Sequence, residues 1–151
     1  MWLFLDQIVK FVIAANIRPY SQVAVVPGFK LTLMFNTGAA FSFLDSQGGW
    51  QVWFFSIITI AICFVLLLWL QRLKASQVWL CIAIAFILGG AIGNLVDRLT
   101  LGYVIDYFLF YAGRWSWPAF NVADSAISIG AVMLVIDLLF KQKRAKRANK
   151  K

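Results

Sequence analysis

Apolar residues run almost unbroken over three stretches of the chain. Residues 51–70 are interrupted after Gln51 only by Ser56 and Thr59, and residues 78–97 carry no charge before Asp97. Residues 119–140 are broken by Asn121, Asp124, Ser125, Ser128 and Asp137. Each stretch is about the 20 residues that cross a ~30 Å hydrocarbon core. A fourth run, residues 2–15, holds Asp6 and Lys10 and at 1.5 Å per residue reaches only about 21 Å. Either its apolar run begins upstream of Met1, the favoured reading, or the bilayer thins around it. A signal peptide is disfavoured, because the run carries a charged pair and no small-residue cleavage pattern follows it. The pattern predicts an all-α integral membrane protein, residues 1–151 as one domain of four transmembrane helices. Outer segments at 16–50 and 98–118 and a basic tail at 141–151 complete it.

Lysine and arginine counts orient the spans. The loop at 71–77 carries Arg72 and Lys74 and the tail carries seven more, against Arg18, Lys30, Arg98 and Arg114 on the other side. The larger count marks the cytoplasmic face, so both termini lie inside and the two long connections outside. The first outer segment has a period of two. Phe29, Leu31, Leu33 and Phe35 alternate with Lys30, Thr32 and Met34 after a Pro27-Gly28 turn, which predicts a small two-stranded outer-face β-sheet between the first and second helices. In the second segment Tyr103, Tyr107, Tyr111, Trp115 and Trp117 read as interfacial anchors.

Composition removes whole reaction classes. Of 151 residues 62% are hydrophobic and 13% charged, with a mean hydropathy of +0.82 and a net charge of +8. The chain has no histidine, and all six acids are aspartate. Without histidine there is no Ser-His-Asp relay, no Cys-His pair and no HExxH zinc site. Cys63 and Cys81 fall inside apolar runs and read as small buried hydrophobes. Half of the basic residues sit in the terminal run, a membrane-flanking tail rather than a nucleic-acid surface. Acid–base chemistry, if the chain performs any, falls to aspartate, and the few scattered acids offer no metal-binding cluster.

Polar residues inside spans cost energy in lipid and mark function or packing. In the third span Ala85, Gly89 and Gly93 form a small-residue stripe that admits a neighbouring helix, and Asp97 continues it. Asn94, Asp97 and Arg98 also read as residues that simply cap and snorkel at a helix end. In the fourth span Asn121, Asp124, Ser125 and Ser128 share a face, which interhelical hydrogen bonding alone would explain for all but Asp124. Asp6 and Lys10, four residues apart, are expected to pair on one helix face. Asp45 sits in a Ser-Gln-Gly-Gly turn and faces water; Asp137 lies about 20 Å from Asp124, toward the cytoplasm. Asp97, Asp106 and Asp124 remain at the outer edge. Two carboxylates close together in a partly dry site share one proton, and such a pair activates water and protonates a leaving amine. Spacing alone leaves an Asp106/Asp124 dyad as one reading among these.

The run Asn94-Leu-Val-Asp-Arg-Leu-Thr-Leu-Gly-Tyr-Val-Ile-Asp106, followed by Phe120-Asn-Val-Ala-Asp124-Ser, closely resembles the two signature blocks of the lipoprotein signal peptidase (signal peptidase II) family. Asn36-Thr-Gly-Ala-Ala-Phe-Ser42 is similar to that family's outer-loop block, and Asp6-Gln-Ile-Val-Lys10 to its first-span block. Four blocks in order cover nearly the whole chain; the departure is at the start, where the family has several more apolar residues. The resemblance implies an aspartic endopeptidase of the bacterial inner membrane that removes the signal peptide of diacylglyceryl-modified prolipoproteins before the lipidated cysteine. It implies Asp106 and Asp124 as the catalytic pair. Asn36, Gly38, Asn94, Arg98 and Asn121 would hold substrate or the dyad, and Asp97 would order the site. No cofactor, metal or nucleic acid is implied; the partners are the prolipoprotein and membrane lipid, and the chain is expected to act as a monomer. Two other readings stand beside it: a small four-helix proton-coupled transporter using its membrane aspartates, and a scaffold whose polar residues only pack helices.

Overall fold

The computed structural model describes residues 1–38 and 49–148, with side chains through Lys141. Among these residues there are four helices and four strands: α1 Trp2–Asn16, β1 Gln22–Val26, β2 Phe29–Asn36, α2 Trp50–Gln71, α3 Val78–Leu101, β3 Val104–Ala112, β4 Trp115–Ser116 and α4 Val122–Ala148. Asp45 and residues 39–42 of the outer-loop block lie outside the described residues.

Three helices are long and apolar enough to cross a membrane: α2, α3 and α4 over Val122–Lys141. They turn large apolar side chains such as Trp53, Ile57, Phe64, Val65 and Val132 outward, as lipid-facing helices must. At 15 residues α1 is shorter, and its buried positions are Asp6, Lys10 and Ile13. The hub is α3, which touches the other three helices. Cys63 and Leu66 of α2 pack against Ile84, Leu88 and Ala91 of α3. Small residues set the other two approaches. A Cβ on Gly89 would stand 3.0 Å from the Trp2 side chain and one on Gly93 2.9 Å from Asp6, so this stripe admits α1, running parallel to α3.

Gly90 faces the opposite way, against the first turn of α4. A Cβ there would collide with the Ala123 carbonyl and stand 2.9 Å from Ile127 Cγ1, both parts of a helix that cannot yield without moving. Gly90→Ala is therefore expected to lower stability by about 1–3 kcal/mol through overpacking, measured as thermal unfolding in detergent. An unchanged melting temperature would mean that α4 shifts freely.

The sheet corrects the sequence reading twice. It has four antiparallel strands in the order β1-β2-β3-β4, and so draws on both outer segments rather than only on the one between the first two helices; the chain is not all-α. The β1–β2 hairpin turns at Pro27-Gly28, where Gly28 takes φ +88°. The unforeseen strand β3 pairs Asp106 with Met34 and Val104 with Asn36. A register irregularity between Leu31 and Met34 falls beside Asp106, the kind of break that re-aims a side chain. Second, Tyr107 is not an interfacial anchor. It is fully buried with Leu33, Ile105 and Ile13, where the sheet rests on α1, whereas Phe110, Trp115 and Trp117 of that segment are exposed.

Candidate active site

Residues 118–121 arrive from β4 held to β3, because Phe108 and Phe120 exchange backbone hydrogen bonds at 2.8 and 3.1 Å. The helix α4 then starts at Val122 with each of its first N–H groups satisfied. Val122 N donates to the Tyr107 hydroxyl at 3.1 Å, Ala123 N to Asp6 Oδ1 at 2.9 Å, and Asp124 N to Asn121 Oδ1 at 2.8 Å. In return Asn121 N donates to Asp124 Oδ2 at 3.2 Å. This reciprocal cap explains Asn and Asp three residues apart at a helix start, and it places an anion where the helix dipole favours one. Asp124 therefore lies in the first turn, not five residues into the span as the apolar pattern suggested, because residues 119–121 are not helical.

Three asparagines hold two carboxylates. Asn121 Nδ2 donates to Asp106 Oδ1 at 2.7 Å, Asn36 Nδ2 to Asp106 Oδ2 at 3.0 Å, and Asn94 Nδ2 to Asp124 Oδ1 at 2.7 Å. With the bond from Asn121 N, all four carboxylate oxygens of Asp106 and Asp124 each accept an N–H. Each asparagine is oriented through its own oxygen. Asn36 Oδ1 accepts from Gly38 N at 3.0 Å, Asn121 Oδ1 from Asp124 N, and Asn94 Oδ1 from Lys10 Nζ at 3.0 Å. Their amide groups are thus left to face the acids.

Behind this layer the Lys10 ammonium sits buried, with all three protons used: Asp6 Oδ2 at 2.6 Å, Asp97 Oδ2 at 2.8 Å and Asn94. Asp97 also accepts from Gln7 Nε2 at 2.8 Å and from Ile105 N at 3.1 Å. Its ion partner is Lys10 rather than the adjacent Arg98, which reaches instead toward the Gly38 carbonyl at 3.4 Å and stacks over Phe55. Gln7 and Tyr107 were missed from sequence. The signal for Gln7 was a polar residue one position from Asp6 in an apolar span; for Tyr107 none distinguished it from its exposed neighbours.

Asn36, Asn94, Arg98, Asp106 and Asp124 line one cavity of about 600 Å³, which descends along α4 past Ser125, Ile127, Ser128 and Ile129. Asp106 is 3% exposed, and burial together with the charge of Asp124 pushes its carboxyl up to about 7, against the pull of Asn36 and Asn121. A pair so placed carries one proton between its members near neutrality and can both take a proton from water and give one to a leaving group. Asp137 pairs with Lys141 at 2.8 Å at the far end of α4 and takes no part. Among the described residues no three metal-ligating side chains gather.

A family model described as signal peptidase (SPase) II matches residues 1–140. The lipoprotein signal peptidase of Pseudomonas paraeruginosa is 49% identical over 147 residues, covering 96% of this chain and 87% of that protein. The Pseudomonas fluorescens lipoprotein signal peptidase is 51% identical over 148 residues, covering 97% and 86%. A bacterial membrane enzyme solved by the in meso method superposes with a TM-score of 0.85 at 30% identity, covering 95% of this chain and 85% of that one. A second such structure gives 0.79 at 31%, covering 91% and 87%.

Proposed function

The chain belongs to the signal peptidase II family, and from that membership we propose an intramembrane aspartic endopeptidase that frees diacylglyceryl-modified prolipoproteins of their signal peptides. The cut falls before the lipid-bearing cysteine, and Asp106 and Asp124 activate the water. One observation carries the reading: two carboxylates share a cavity wall, every oxygen of both is held by an N–H, and a single charge is the comfortable state of the pair. In the reaction the water oxygen adds to the scissile carbonyl while the ionised carboxylate takes the water's proton. The protonated partner then gives its proton to the amide nitrogen as the C–N bond breaks. The shared proton belongs to the pair rather than to either residue.

The supporting residues act through these two. Asn94 and Asn121 aim N–H groups at the dyad, and Asn36 does so with its oxygen tied to Gly38. Arg98, against the Gly38 carbonyl, holds the residues that follow β2 beside Asn36. Asp97, Asp6 and Lys10 keep α1, α3 and β3 in register behind the site. The four-span reading, with α1 as the fourth span, places both termini inside a bacterial inner membrane, the cavity near the outer face and the lipidated substrate at its edge. The enzyme works as a monomer and its chemistry uses no metal.

The test is cleavage of a diacylglyceryl-modified prolipoprotein in detergent, with the new N-terminus read by mass spectrometry. Cleavage immediately before the modified cysteine, retained in a chelator, is expected; an unmodified cysteine cleaved equally well, or loss in chelator, overturns the reading. The pH profile adds a signed prediction. Since the pair must keep one proton, kcat/KM falls as pH rises through about 7. Removing the Asn36 amide takes away a donor that favours the ionised form, so in Asn36→Ala the alkaline limb moves upward by roughly one unit. A limb that stays or moves down contradicts the assignment of Asp106.

A further inference from the structure

Two cavities meet at Asp106. The one described above falls away along α4, where Ser125 and Ser128 alternate with Ile127 and Ile129, and is the more apolar of the two. A second, of about 550 Å³, shares Asn36, Asp106 and residues 117–119 as its wall and runs the other way, along β2 to the turn joining β3 and β4. Its chemistry differs. Lys30 stands on its wall with its ammonium 4.6 Å from the centre of the Tyr111 ring and 3.0 Å from Gln22 Oε1, and Arg114 lines its far end. Asp106 is the one acid lining it among the described residues. Outside the dyad, the cavity is therefore a cationic trough.

We propose that this second cavity holds the stretch of substrate that follows the modified cysteine, and that Lys30 and Arg114 favour an acidic side chain there. The proposal rests on the peptidase reading. A signal segment is apolar and membrane-borne, so across a bond fixed at Asp106 and Asp124 it occupies the cavity that descends α4. The chain beyond the cut is left the opposite cavity, which is the more polar of the two and carries Lys30 and Arg114. Met34 is the register partner of Asp106, and Lys30 lies four residues before it on the same strand, about 13 Å at the rise of a strand. An extended substrate covers that distance in about four residues, which sets where the charge is read. Both cations are partly solvated, so the discrimination is several-fold rather than absolute.

The experiment compares kcat/KM for three diacylglyceryl-modified prolipoprotein peptides that differ only in Asp, Asn or Lys at the third residue after the cysteine. The wild type is expected to rank them Asp above Asn above Lys over about a tenfold spread, narrowing in high salt. In Lys30→Gln/Arg114→Gln the spread is expected to collapse to within about twofold, each enzyme being its own reference. Equal rates for the three peptides in wild type, or an undiminished spread in the double variant, overturns the proposal. The same series in phosphatidylcholine vesicles with and without phosphatidylglycerol separates the sources of negative charge. If the wild type responds to lipid charge and not to peptide charge, and the double variant loses that response, the cations serve the membrane surface and the proposal fails. Cleavage of none of the peptides by wild type would instead sink the peptidase reading itself.

Discussion

Replacing Asp106 or Asp124 by asparagine is expected to lower kcat by roughly a thousandfold or more while the protein stays folded. Once its partner is a neutral amide, a single carboxylate cannot at the same time accept a proton from water and hold another for the leaving amine. The structural cost is smaller and has a visible cause. Both oxygens of Asp106 accept an N–H, from Asn121 and from Asn36, so an asparagine there must turn its own amide group against one donor. The loss is about 1–3 kcal/mol of stability. Asp124 faces the same conflict between Asn94 Nδ2 and Asn121 N. Single-turnover cleavage of a lipidated prolipoprotein separates the two effects, with thermal unfolding in the same detergent as the check on folding. A variant that cleaves within tenfold of wild type removes that residue from the chemistry. The double variant is expected to be little slower than either single one, since two residues acting on one proton do not contribute additively.

The helices were legible because lipid demands long apolar runs: these find α2 to within one residue at each end and the start of α3, while α3 runs on to Leu101 and α4 to Ala148. Their ends were less so. Apolarity cannot tell a helical Ala119 or Phe120 from an irregular one packed under a sheet, and the first helical residue is Val122. The missed strand β3 has a clear physical reason. Val104 to Tyr111 is β-branched and aromatic and lies between Gly102 and Gly113, a strand signal in itself. Next to Trp115 and Trp117 the same aromatics also fit a membrane belt, and period gives no choice, since β3 is buried on successive residues at its start.

The site shows the same division. Depth and spacing bring Asp97, Asp106 and Asp124 to one edge but say nothing of what lies between them. The bonds of three asparagines to the two acids and the ammonium of Lys10 are long-range contacts across α1, β2, α3, β3 and α4, invisible to local pattern, whereas the reciprocal cap between Asn121 and Asp124 spans only three residues. Asp6 and Lys10 illustrate the limit. Their four-residue spacing predicts a pair, and they lie 2.6 Å apart. Spacing could not tell that the same ammonium also holds Asp97 and Asn94, and that Asp6 also caps α4.

Lys10→Met should therefore do far more than delete a helix-face ion pair. It leaves Asp6 and Asp97 buried without their cation, and breaking a buried pair by removing one partner costs about 3–5 kcal/mol. It also takes from the Asn94 oxygen one of its two donors, leaving Asn121 Nδ2 at 3.1 Å, and so loosens the amide whose N–H group points at Asp124. Two readouts follow. Thermal unfolding should show a large loss of stability, and kcat should fall about tenfold or more in whatever folded protein remains, with a smaller change in KM. Adding Asp6→Asn to Lys10→Met removes one of the stranded charges and should recover part of the stability. It should not recover kcat, because the Asn94 oxygen still lacks the Lys10 donor and rests on Asn121 alone. If the double variant regains kcat together with stability, Lys10 serves packing alone; if Lys10→Met unfolds no more easily than wild type, the ammonium is not the cation that holds α1 to α3.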